Sequence, residues 1–335
     1  MTVTIIGILM ALVGGAMRMA QNAGREARTR ATIAKIHQVI MTRYEEYHTR
    51  RVPINPLAYA QDRPAWYPPT AQGTIAADQL ARVRVNALRD LMRMEMPDRY
   101  TDLQTIGILS EPPALTRRYL RTIDRARQRL MNQQGLSEEQ ANNRIEQFGA
   151  AELLYMIVMS DPDAAEMFSP REIGDYDGDG LPEFHDGWGR PIRFLRWPAG
   201  FVGDDHADSD LHPRRRFPPY ASGEPPDNDP FDPRNLIGSS APFPLYPLIY
   251  SAGASGIYDI NVGTQNGDAF TYQYQLNENG DLDPFRQDPN GLYVGQPADA
   301  AAIDGRPGQS EGMDVTNPRY LDHYDNIHNH RIEAR

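Results

Sequence analysis

Between Val3 and Pro53 the chain contains no proline, and the first part of that run, residues 3–17 (VTIIGILMALVGGAM), carries no charge. A proline-free stretch of this length can be one helix, and this one has two characters. Residues 3–17 are apolar on every side. Beyond Arg18, Ile33, Ile36, Ile40, Tyr44 and Tyr47 recur at steps of three and four, while arginines and glutamates take the other positions. The pattern predicts one helix over residues 3–51, apolar all round at its start and one-sided afterwards: a membrane anchor continued by a stem that packs on a globular head. Two other readings compete. The apolar run of about 15 residues is shorter than the roughly 20 that span hydrocarbon, which suits a buried core helix. A secretory signal would need a basic residue before the apolar run, and none precedes Val3.

The rest of the chain divides by composition. Residues 1–51 are anchor and stem, and residues 52–73 are a proline-rich crossing that cannot be regular helix. Residues 74–173 return to helix. One is predicted over 74–96, with Leu80, Val83, Ala87, Leu91 and Met94 on one face. A second covers about 115–133 and is stopped by Gly135. A third runs from Ser137 to Ser160, where Ser137 and Gln140 have the spacing of a capping box and Phe148, Leu153, Leu154, Ile157 and Val158 point inward. From residue 174 to 335, Gly, Pro, Asp and Asn dominate. Residues 191–197 (PIRFLRW) and 246–252 (YPLIYSA) read as strands, and 269–276 (AFTYQYQL) alternates like a hairpin arm. Loops as long as 198–245 and 277–318 are usually functional, clamped by ions or disordered. The expected class is α+β: a long N-terminal helix, a helical insertion and a small antiparallel sheet with calcium-stapled loops.

The most specific local signal is DYDGDGLPEFHD, residues 175–186. Counted from Asp175, carboxylates fall at positions 1, 3, 5, 9 and 12, namely Asp175, Asp177, Asp179, Glu183 and Asp186. Gly180 stands at the sharp turn of position 6, and Leu181 offers a backbone carbonyl at position 7. That is the ligand spacing of an EF-hand calcium loop, in which six to eight hard oxygens wrap one ion. The flanks are not those of an EF-hand pair, because Gly187-Trp188-Gly189 forbids a leaving helix. A permanent staple is therefore expected in place of a sensor. Asn277, Asn279, Asp281 and Asp283 form a second, weaker alternation of oxygens without the position-6 glycine.

Composition excludes several functions. A net charge of −11 argues against general nucleic-acid binding. The absence of cysteine removes disulfides, thiol catalysis and thiolate metal sites. His323, His328 and His330 lie near Asp322 and Asp325, a grouping that is commoner as surface polarity than as a zinc or iron site. No G-x-S-x-G or H-E-x-x-H occurs, so nothing orders serine, histidine and aspartate into catalytic machinery. No small-molecule substrate is expected.

Taken together, TIIGILMALV with REARTRATIAKIHQVI, then HDGWGRPIRFLRW (185–197), PLIYSAGASGIYDI (247–260) and DNIHNH (325–330), resemble in order the segments of type IV pilin-like proteins, above all the major pseudopilin of type II secretion. In that family the mature chain opens on an aromatic residue with a glutamate at its fifth position. Here neither is present, and Met1 falls inside the apolar run. The resemblance implies an inner-membrane helix that later packs against copies of itself or other pilin-like subunits, with the head in the periplasm or on an extracellular filament. It implies structure, not catalysis. It also implies a calcium site at the loop after the second strand, for which Ser251 and Asp325 are the matching positions, though Ser255 stands where an aspartate is common. A calcium-binding, membrane-anchored adhesion protein is the alternative, and an extracytoplasmic hydrolase a more distant one.

Overall fold

A computed structural model of the chain describes residues 2–52, 77–105, 108–109, 111–199, 229–237, 244–258, 260, 262, 281–285 and 326–331. The expected long helix is present as α1, Thr2–Glu46. Its two characters are physically separate. Ile33, Ile36, Ile40, Tyr44 and Tyr47 are all buried, whereas the residues from Leu12 to Gly24 are exposed. Twenty-odd residues at 1.5 Å each carry the helix about 35 Å beyond the head.

The helical block follows as α2 (Ala77–Glu95), α3 (Ala114–Gln134), α4 (Glu138–Glu146), α5 (Gly149–Val158) and α6 (Pro162–Ala165). Local chemistry sets these boundaries. Helix α3 begins after Pro112-Pro113 and ends at Gly135, which takes the left-handed φ of 68° that closes a helix. Ser137 caps α4 in a full capping box: its hydroxyl accepts from the Gln140 N–H, and the Gln140 side chain accepts from the Ser137 N–H. Two expectations need correction. The helix expected over 137–160 is broken at Phe148, whose φ of −118° and ψ of 20° leave the helical region. Gly149 follows at the break because the Tyr100 ring lies where a Cβ would stand, 2.5 Å away. Phe148 is half-buried, edge-on to Tyr176, instead of fully inward. Leu80, placed on the buried face of α2, is exposed, because α2 enters the core only from Val83 onward.

Two small antiparallel sheets complete the head. β1 (Ile173–Gly174) pairs with β2 (Glu183–Phe184), so residues 175–182 are a hairpin loop. β3 (Arg193–Leu195), β4 (Leu248–Ser251) and β5 (Ile327–His328) form a three-stranded sheet in that order. The expected strands at 191–197 and 246–252 are thus present, though shorter. The expected arm at 269–276, the crossing at 53–73 and most of both long loops lie outside the described residues.

The sheet is buried on both faces, with side chains alternating as the pleat requires. Phe194 and Ile249, which are cross-strand partners, join the main core; Leu195, Leu248 and Tyr250 form a second cluster with Ala150, Ile260 and Val262. The main core draws on α1 through α6 and on β2 to β5 alike, so the helical block and the sheet region share one interior.

Polar ties fix α1 in this interior. Arg43 reaches the end of α5, donating to the Ile157 carbonyl at 3.1 Å and to Ser160 Oγ at 2.9 Å. Lys35 pairs with Glu172 at 2.9 Å, and Tyr47 donates to Glu95 at 2.9 Å. A buried charge network closes the far end of α2. Arg196 donates to Asp102 at 2.9 Å and to the Met96 carbonyl at 2.8 Å, Asp98 accepts from Arg99 and from the Arg196 N–H, and Arg93 pairs with Asp90. Burial pushes Asp102 up to about 6; Asp98, opposed by burial, is nevertheless held below the usual carboxylate range by Arg99 and Arg196.

Candidate metal centre

The hairpin loop between β1 and β2 is built around its own aspartates. Asp175 accepts from the N–H groups of Gly178 at 2.6 Å and Gly180 at 2.9 Å. Asp177 accepts from the Asp179 N–H at 3.2 Å, and Asp179 from the Leu181 N–H at 2.7 Å. These side-chain-to-backbone bonds are the local turns that Asp favours. Gly180 has a φ of 92°, a left-handed value that position 6 demands and a side chain resists. Leu181 then turns its side chain into the core. From outside, Arg144 donates to the Asp177 carbonyl, and Arg129 and Gln134 reach the carbonyls of Gly180 and Gly178 at 3.5 Å each.

Asp175 spends both carboxylate oxygens on the loop backbone, whereas Asp177, Asp179 and Glu183 each spend one. Asp177 Oδ2, Asp179 Oδ2 and Glu183 Oε1 are buried without a hydrogen-bond partner. Glu183 Oε2 accepts from the Tyr176 N–H at 3.0 Å. Two groups of acidic side chains could hold a metal ion: Asp175, Asp177 and Asp179 in one, and Glu152, Asp177 and Glu183 in the other, with the ligand oxygens of each group within 4.8 Å of one another. Asp177 belongs to both.

Electrostatics register the crowding. Burial pushes Asp179 up to about 7 against the Leu181 N–H bond, with the charges of Asp177, Asp175 and Glu183 adding to the rise. Burial raises Asp177 and Glu183 in the same way. Arg144 Nε lies 3.7 Å from Asp177 Oδ2, and His185 Nε2 lies 3.7 Å from Glu183 Oε2. Chemically the arrangement offers hard, anionic oxygens only, the donor set of Ca²⁺, Mg²⁺ or Mn²⁺.

The other residues picked out by sequence are distributed differently. Asp186, expected at position 12, is not in either group: it accepts from the N–H groups of Trp188 and Arg190 at 2.8 and 2.9 Å and from Ser251 Oγ at 2.6 Å. It organises the turn from β2 into β3 and ties that turn to β4. Ser251 is therefore engaged with Asp186, and Asp325 lies outside the described residues. Asp281 is buried against α2, paired with Arg82 and accepting from Asn86 at 2.7 Å, and Asp283 accepts from the Phe285 N–H. Asn277 and Asn279 lie outside the described residues, as do Asp322 and His323. His328 and His330 are buried in the sheet layer, where His330 lies 3.1 Å from the Pro247 carbonyl.

Sequence reasoning missed Glu152. It stands in the first turn of α5, wholly buried, and is the only charged residue of GAAELLYMIV. A lone charge inside an otherwise apolar helix was the available signal.

No protein-family model matches the chain, and neither a curated protein nor a solved structure is found to be similar to it.

Proposed function

We propose that the chain is a structural subunit of a pilus-like filament, of the type II secretion pseudopilus kind or a related type IV pilus-like assembly. The observation that carries this reading is the exposed stretch of α1 at Met10 and from Leu12 to Gly24. Met10, Leu12, Val13, Met17 and Met19 are each 63% exposed or more, on a helix whose second half is locked in the head. Large apolar side chains exposed this close together on one helix mark an interaction site. At roughly 25 cal/mol per Å², covering on the order of 300 Å² of it is worth several kcal/mol. Gly14 and Gly15, with open space around them, allow a second helix to approach closely. No helix among the described residues is long and apolar enough to cross a membrane. The reading therefore rests on side-by-side packing of α1 with its copies, the inner membrane holding the same surface before assembly and the head lying in the periplasm.

In this reading the acidic hairpin loop takes calcium as a structural staple of the head, supported by its alternating carboxylates, its turn glycine and its all-oxygen donor set. Function is assembly and not catalysis.

Fractionation and light scattering test the filament reading. The full chain should pellet with membranes or scatter as large assemblies in detergent-free buffer. A chain starting at Gly24, where the exposed segment ends, should run as a soluble monomer. A full-length chain that stays monodisperse and monomeric without detergent overturns it.

A further inference from the structure

We infer that Glu152 of α5 is a direct ligand of the loop's cation, so that the ion bolts the helical block to the β1–β2 hairpin instead of merely ordering the loop. The inference rests on the calcium reading of that loop and adds a ligand from outside it.

Three observations point the same way. Glu152 is wholly buried, and its Oε1 has no hydrogen-bond partner, while Oε2 accepts from the Tyr100 hydroxyl. A carboxylate in that state is costly to bury unless something binds the remaining oxygen. Its ligand oxygen lies within 4.8 Å of those of Asp177 and Glu183. Calcium sits about 2.3–2.6 Å from each ligand, so oxygens around one ion are separated by up to about 5 Å. Finally, Glu183 Oε1 and Asp177 Oδ2 are likewise buried without a hydrogen bond. Three carboxylates that each bring an oxygen within 4.8 Å of the others, and each keep one buried oxygen without a hydrogen bond, form a cage suited to a cation.

The topology gives the ligand its effect. Glu152 comes from α5, which packs on β2 and β3. Glu152 stands in the first turn of α5, where the helix dipole favours negative charge; burial opposes this and raises the carboxyl well above its ordinary value, a cost that a bound cation would offset. Asp186 is diverted to Ser251 and cannot close the loop at position 12; Glu152 supplies the missing closing carboxylate from another element. Burial raises the Glu152 carboxyl, and the charges of Asp179, Glu183 and Asp177 add to the rise, so without a cation these groups repel one another where they are ionised. The cation therefore turns a repulsive contact between two layers of the head into an attractive one. Three or more carboxylates and carbonyls at adaptable distances suit calcium better than magnesium, which demands a tight octahedron and keeps its waters.

The test uses the full chain in detergent, stripped with a chelator and titrated with calcium alone, then with magnesium alone, by calorimetry and thermal unfolding. The wild type should bind calcium stoichiometrically with a raised Tm, and magnesium at least tenfold more weakly. Glu152→Gln keeps the volume and the acceptor for Tyr100 but removes the charge. It should weaken calcium tenfold or more, while melting without metal at or above the wild-type temperature, because a repulsion is relieved. Tyr100→Phe should keep calcium binding within threefold. If the wild type does not bind calcium, the loop reading itself falls. If the wild type binds and Glu152→Gln binds equally well, only the assignment of Glu152 falls. It falls equally if Glu152→Gln melts lower than wild type without metal, since Glu152 would then be a packing element whose loss harms the fold directly.

Discussion

The turn at Gly187 packs directly on the backbone of α1, and a single methyl group there measures how firmly head and stem are joined. A Cβ on Gly187 would lie 2.2 Å from the Arg25 carbonyl oxygen and 2.7 Å from its carbonyl carbon, both backbone atoms of α1. A helix backbone cannot yield as a flexible side chain can, so the turn must lift off the stem. Overpacking of this kind costs about 1–3 kcal/mol. The lift also breaks the bond from the Gly187 N–H to Thr29 Oγ1 at 2.8 Å, worth about 1 kcal/mol net. Gly187→Ala should therefore destabilise the fold by about 2–4 kcal/mol. Gly189→Ala is the control: its Cβ would meet nothing within 4 Å, and only its φ of 83° opposes a side chain, at about 1–2 kcal/mol. Urea unfolding of both variants and the wild type, followed by far-ultraviolet circular dichroism, gives the comparison. If Gly187→Ala costs no more than Gly189→Ala, the turn does not rest on the Arg25 backbone and the joint is elsewhere.

Two further outcomes follow from charged contacts. Burial would raise the Glu172 carboxyl, but bonds from Lys35, the Ser169 N–H, Thr32 and Ser169 Oγ outweigh it and hold the group down at about 2, against an ordinary 4.5. A depressed carboxylate stabilises the fold above its unfolded value and loses that contribution as pH falls from 4.5 towards 2. Partial exposure screens the gain to roughly 1–2 kcal/mol, and Glu172→Gln should flatten the pH profile of Tm in that window. Wild type and variant falling in parallel there would refute the assignment. Arg196→Ala removes the 2.9 Å guanidinium partner of the buried Asp102, while Asp98 keeps Arg99, and should cost about 3–5 kcal/mol; a loss under 1 kcal/mol in urea unfolding would show that the network does not depend on it.

The fold was legible wherever one local rule decided the outcome. Periodicity alone placed Ile33, Ile36, Ile40, Tyr44 and Tyr47 inside, and Ser137 with Gln140 announced the start of α4. The break at Phe148 was not legible, because residues 137–160 read as one amphipathic pattern and the cause is a ring from elsewhere. Tyr100 occupies the space beside Gly149, and no window around Gly149 contains Tyr100. The buried arginine network was hidden for a related reason. An arginine reads as surface on composition; Arg93 is paired with Asp90 one turn earlier in α2, and the turn after α2 brings Asp98 and Asp102 to Arg99 and Arg196.

The metal centre divides along the same line. Its loop half could be written down from spacing, since Asp175, Asp177 and Asp179 shape a turn through bonds to N–H groups two to five residues away. The closing position could not. The EF-hand rule assumes that the twelfth residue returns to the ion because a helix carries it there. Here the chain enters β2 at Glu183 and turns again at residues 186–190, so Asp186 meets Ser251 of β4. Glu183, within the strand register opposite Gly174, keeps the orientation that aims one oxygen back at Asp177. A hairpin thus retains the ninth position and discards the twelfth. On the assignment inferred above, the acidic group left short of a ligand is completed by Glu152, which precedes the loop by more than twenty positions. Glu152 is recognisable in the sequence only as a charge in the wrong company, and its role becomes readable once α5 is seen lying against β2.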